Sequence, residues 1–199
     1  MLAALSSVSS PDGKLNVSVS SIESTGQVVY DVTYEGRTII APSRLGLVTD
    51  QVDYTGLEFV GAESGTVIVD YSLDRIKRSH VGHEASRAVM HFKNPDGRLL
   101  DIEWHVSDND VAFRYFIPRD SGTGSEWVVR DETWFNFPAH TTTYLCPQSD
   151  AMVGWKRSKP SYEEYYAPGA LLSTASEFGH GFTFPCLFRV GSAGWALVS

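Results

Sequence analysis

The stretch from Trp134 to Tyr166 carries the side chains best suited to chemistry. Trp155 is followed by Lys156 and Arg157, and then by Ser161-Tyr162-Glu163-Glu164-Tyr165-Tyr166. Aromatic faces beside carboxylates suit a sugar ring, which stacks on the aromatic. They also suit a hard cation such as calcium, which takes oxygen donors. Long connections on a β-scaffold tend to carry function. The same composition also fits tyrosines that seal a sandwich and glutamates that point to water, and composition alone favours that plainer reading.

Other chemistries find less. No Gly-x-Ser-x-Gly elbow is present, and Cys146, followed by Pro147, lies in no catalytic cysteine signature. His80 and His83 are three apart with no third ligand at a metal-site spacing, so they read as solvated loop residues. Gly122-Thr123-Gly124 lacks the strand, helix and lysine of a phosphate-binding loop. A glycosidase needs two carboxylates flanking the scissile bond. Glu58, Glu63 and Asp70 form no such pair and read as solvated faces.

The chain that must position these groups has 199 residues, 42% hydrophobic and 20% charged, enough for a sizeable core. Its net charge of −8 argues against nucleic acid or an anionic membrane as partner, since both need a basic footprint. No apolar run approaches the roughly 18 residues of a membrane span. Leu2–Leu5 is shorter than the core of a signal peptide, about 7–15 residues, and no basic residue precedes it. Residues 1–9 are therefore expected to be disordered, or the remnant of a tag or removed signal. Cys146 and Cys186 stand either as a disulfide of an exported protein or as two small buried hydrophobes.

The dominant hydrophobic period is two. Leu15, Val17 and Val19 alternate with polar residues, as do Val28 to Tyr34, Leu100 to Val106 and Val111 to Ile117. Pro11-Asp12-Gly13, Glu35-Gly36, Asn94-Pro95-Asp96-Gly97 and Asp108-Asn109-Asp110 punctuate these runs as turns. At most one helical turn fits, near Ser161–Tyr165. The pattern predicts an all-β, antiparallel β-sandwich over residues 10–199, read as one domain. The last residues, Gly194-Trp195-Ala196-Leu197-Val198-Ser199, read as a strand in progress, so the chain is expected to be cut from a longer one.

Several segments follow one another in an informative order. They are Ser10-Pro11-Asp12-Gly13-Lys14-Leu15; Val29-Tyr30-Asp31-Val32-Thr33-Tyr34-Glu35-Gly36 with Ser43-Arg44-Leu45-Gly46-Leu47; Asp131-Glu132-Thr133-Trp134-Phe135-Asn136-Phe137-Pro138; Ser161-Tyr162-Glu163 with Tyr166; and the closing Gly194 to Ser199. Together they span nearly the whole chain and resemble the amino-terminal domain of glycoside hydrolase family 97, the α-glucosidase and α-galactosidase family.

That resemblance implies a large β-sandwich of the galactose-mutarotase-like kind, a supersandwich, packed on a catalytic (β/α)-barrel that follows in the same polypeptide. The barrel carries the acid and the base or nucleophile, so no catalytic residue is expected here and the chain alone is expected to be inactive. Calcium is the implied cofactor of the intact enzyme, held mainly by barrel glutamates. The sandwich is expected to lend it one, Glu163, with Glu164 as the fallback. Trp155 is the expected contact to an α-linked oligosaccharide, and a periplasmic or secreted location is implied. The best-known activity of the family leans the reading toward α-glucosides. Two other readings stand beside it. One is a free-standing carbohydrate-binding module that stacks sugar on Trp155 or Trp127. The other is a structural sandwich that binds neither sugar nor calcium.

Overall fold

The computed structural model describes residues 1–75, 77, 79–119, 125–149 and 164–199. All elements among them are strands, and every pairing is antiparallel. The chain divides into two compact units, Met1–Asn136 and Phe137–Ser199.

In the first unit, β1 (Leu2–Ser9), β2 (Leu15–Ile22), β3 (Gln27–Tyr34) and β4 (Arg37–Arg44) form one sheet in sequence order. After the short β5 (Leu47–Thr49), a second sheet contains β6 (Glu58–Ser72), β7 (His80–Lys93), β8 (Leu99–Val106) and β9 (Val111–Phe116). β10 (Val128–Asp131) returns to pair with β5. The predicted alternation sets the inward faces. Val17, Val19 and Tyr30 on one sheet and Phe92, Leu100, Ile102, Trp104 and Val106 on the other are buried. The Tyr30 ring lies 5.4 Å from that of Trp104, and Phe113 lies 4.7 Å from Trp104, which fixes the two sheets face to face. Each such buried side chain contributes about 1.5–3 kcal/mol.

Turn chemistry sets the register. Glu35 and Gly36 both take positive φ, at 48° and 74°, and form the two-residue loop between β3 and β4. Asp12 caps the turn before β2: its carboxylate accepts from the Ser10 hydroxyl at 2.7 Å and from the Lys14 amide at 3.1 Å. Those bonds bring its pKa down to about 2.

Two features differ from the sequence reading. Leu2–Ser9, set aside as disordered or a remnant, is β1 and pairs along its length with β2, from Leu2 opposite Ile22 to Ser9 opposite Asn16. The apolar run is short, but pairing on a sheet edge draws on the backbone, and Val8 supplies a buried side chain. His80 and His83 lie in β7 and not in a loop. An offset of three puts them on opposite faces of a strand, so they cannot converge on one ion.

The second unit is one four-stranded sheet. β11 (Thr141–Pro147), β12 (Ala167–Leu171), β13 (Phe182–Val190) and β14 (Gly194–Val198) are arranged β12-β11-β13-β14.

Candidate functional site

Trp155 and Glu163 fall in 150–163, outside the described residues, as does most of the Ser161–Tyr165 turn. The base of the connection that carries them is defined. It leaves the end of β11 and returns to β12, with Leu145 opposite Ala167. On the outgoing side the Gln148 amide donates to the Gly181 carbonyl at 2.9 Å. Across the base the Ser149 hydroxyl donates to the Glu164 carboxylate at 2.6 Å, and the Cys146 thiol sits 3.4 Å from the Glu164 carbonyl. The fallback ligand Glu164 is therefore part of the stem. Tyr165 is 95% exposed and Tyr166 is also exposed, so these two do not seal a core.

Cys146 and Cys186 are both buried and are not joined by a disulfide. Burial raises the Cys186 thiol pKa. Trp127, the alternative stacking platform, is 74% exposed, and its amide donates to the Asp50 carboxylate at 2.9 Å.

The sheet that bears the connection has two unlike faces. On one, Thr141, Thr143, Cys186 and Val190 are buried, and Phe188 stacks on Phe137 at 4.0 Å. On the other, Leu171, Thr142, Arg189 and Trp195 form a row across all four strands. Tyr144, Leu187 and Leu197 form the next row. Leu171 is 63% exposed, Trp195 56% and Leu197 62%. The Tyr144 ring lies 5.0 Å from Trp195, and the Arg189 guanidinium lies 5.9 Å from the same indole ring.

Sequence reasoning missed a charge cluster on the outward face of the second sheet. Glu103 on β8 is buried and stands between Val89 on β7 and Arg114 on β9. Its carboxylate accepts from Arg87 Nε, from Arg114 Nε at 2.7 Å, and lies 3.3 Å from His105 Nε2. Burial alone would raise the Glu103 pKa. The hydrogen bonds of Arg87, Arg114 and His105 outweigh it and bring the pKa down to about 2. The cluster has no open acceptor geometry for a reaction and reads as a cross-strand staple. Among the described residues, no three His, Cys, Asp or Glu side chains converge as a metal site. No helix among them is long and apolar enough to cross a membrane.

A family model described as Glycosyl-hydrolase 97 N-terminal matches residues 8–199. A crystal structure of a beta-arabinopyranosidase superposes with a TM-score of 0.91 at 46% identity, covering 98% of this chain and 31% of that one. A glycoside hydrolase family 97 enzyme from Pseudoalteromonas sp. strain K8, solved in complex with panose, shares the fold with a TM-score of 0.76 at 20% identity over 93% of this chain and 27% of that one. Among curated proteins, a probable retaining alpha-galactosidase from Streptomyces bingchenggensis (strain BCW-1) is 33% identical over 128 residues, 61% of this chain. The chain spans 19% of that relative's length.

Proposed function

The chain belongs to the glycosyl-hydrolase 97 N-terminal family, as the amino-terminal domain of a family 97 glycoside hydrolase, and we propose that it acts there without catalytic residues of its own. In this reading it packs on a catalytic (β/α)-barrel of an exported parent polypeptide and lends Glu163 to a calcium site at the sugar-binding end. The observation that carries the reading is the 46% identity and TM-score of 0.91 over 98% of this chain, set against only 31% of the relative. The whole of this chain is matched by less than a third of an enzyme.

Calcium takes roughly 6–8 oxygen ligands, and no such group assembles among the described residues. Glu163 is thus proposed as one ligand of a site completed by the rest of the parent. The Ser149 bond to Glu164 supports Glu163 over its neighbour, because Glu164 already has a partner in the stem.

The two relatives above 30% identity support a substrate class. One is named for α-galactosides and the other for β-arabinopyranosides. A β-L-arabinopyranoside is an α-D-galactopyranoside without its hydroxymethyl group, so both present the same ring stereochemistry. We take the parent's substrate to be a galactose-configured glycoside in preference to an α-glucoside.

The test compares aryl α-D-galactopyranoside, β-L-arabinopyranoside and α-D-glucopyranoside. The parent should cleave one of the first two with kcat/KM at least ~10-fold above the third. The 199-residue chain should cleave none. Turnover that tracks the pure chain, or a preference for the glucoside, would overturn the corresponding part. If Glu163→Ala left calcium dependence and kcat/KM of the parent unchanged, the ligand assignment would fail.

A further inference from the structure

The strands of the second unit carry more apolar side chains than their sheet buries. In β2 the alternation is one-sided: Leu15, Val17 and Val19 face the core, and Asn16, Ser18 and Ser20 face out. β14 reads Gly-Trp-Ala-Leu-Val and β13 ends Cys-Leu-Phe-Arg-Val, with apolar side chains on both faces and Arg189 among the outward ones. Near-continuous apolar runs mark strands covered on both sides. Here Thr141, Thr143, Cys186 and Val190 on one side are buried, and the other shows Leu171, Trp195 and Leu197 more than half exposed. Tyr144 and Leu187 lie in the neighbouring row of the same face, and large apolar side chains gathered on an exposed face mark an interaction site.

We propose that this face, centred on Trp195, Leu197 and Tyr144, is the seat of the polypeptide that the parent glycoside hydrolase carries beyond this domain. The inference rests on the proposed function and adds the surface through which it works. The occupant is argued from length: the beta-arabinopyranosidase that matches 98% of this chain devotes 69% of its own length to other parts (100 − 31). A domain tied covalently to so much polypeptide meets that surface at high effective concentration.

The patch also states the chemistry of its cover. Arg189 is the one charged side chain in the two exposed rows, and it lies over Trp195. The covering surface should therefore be apolar at its centre, with a carboxylate or backbone carbonyl set against Arg189. The connection that carries Glu163 starts from β11, the strand that contributes Tyr144.

Hydroxyl-radical footprinting of Trp195 and Tyr144 tests the assignment in the 199-residue chain and in the parent polypeptide. Both residues should oxidise readily in the chain alone. In the parent, Trp195 should slow by roughly 5-fold or more, as for a ring moved into an interface core. Leu197→Asp should leave the melting temperature of the chain within about 2 °C but lower that of the parent by roughly 4 °C or more.

Equal oxidation in chain and parent would overturn the proposal, as would slow oxidation in both. Protection of the chain alone by galactose oligosaccharides would overturn it in favour of a sugar platform. Concentration-dependent protection, lost in Leu197→Asp, would overturn it in favour of a second copy. The calcium reading fails separately. Protection of Trp195 in a parent whose Glu163→Gln variant binds calcium normally sinks the metal assignment and leaves this face in place.

Discussion

The hydroxyl of Ser149 donates to the carboxylate of Glu164 at 2.6 Å and closes the base of the connection that bears Trp155 and Glu163. Removing that bond loosens the base without touching the proposed ligand. Ser149→Ala in the parent should weaken calcium binding by roughly 10-fold, the low end for loss of a group that supports a ligand from behind. Glu163→Gln should weaken it much further. Calorimetric titration with calcium checks both, and equal losses in the two variants would show that the stem and the ligand had been confused.

Glu103 makes stability depend on pH in a stated direction. Its ordinary value of 4.5 falls to about 2 in the folded chain. Between those values the unfolded state binds more protons, so stability rises with pH there. The contribution is fully present above about 4.5 and is lost as pH falls through about 2. Glu103→Gln should flatten the slope of urea stability across that window and cost about 1–2 kcal/mol at pH 7. The range is modest because Arg114 is largely exposed and water screens its share. An unchanged slope would show that the cluster does not hold together in solution.

Gly46 is a backbone constraint. At φ +152° a Cβ would stand 2.8 Å from the Tyr54 carbonyl oxygen, a backbone atom that cannot swing aside. The Gly46 amide donates to the Tyr115 hydroxyl at 3.0 Å, and its carbonyl accepts from the Glu132 amide at 3.0 Å. Gly46→Ala should cost about 2–4 kcal/mol. Gly36→Ala, at φ +74° with open space around it, should cost only about 1–2 kcal/mol. Denaturant midpoints of the two variants give the comparison. The reverse order would remove the steric account.

Cys146 and Cys186 are buried thiols with no bridge between them. The melting temperature of the chain should be the same with and without a reductant. A thiol reagent should count both cysteines in denaturant and react slowly with the native chain. A melting temperature that drops on reduction would instead reveal a disulfide.

The fold was largely legible from local signals. Glu35-Gly36 announces a turn between two strands, and the alternation from Leu100 to Val106 separates inward from outward residues. The same alternation put Asp101, Glu103 and His105 on the outward face. It could not say that Glu103 would be buried, because Arg87 and Arg114 reach it from neighbouring strands, and cross-strand register is non-local. The sequence pattern places Trp195 in a strand, but its exposure depends on what covers the sheet, which no run of five residues encodes. The expected ligand and sugar contact, Glu163 and Trp155, lie outside the described residues, and the stem that carries them closes at Ser149 and Glu164.

The clamp at Ser149, Glu164 and the Gln148–Gly181 bond has a consequence for variation. With both ends pinned at the sheet, the number of residues between them is nearly decoupled from folding. Closing a loop twice as long costs only about 0.6 kcal/mol more. That stretch can be lengthened, shortened or grafted while β11 and β12 keep their pairing. Sequence exchanged there between relatives should leave the melting temperature of the chain nearly unchanged.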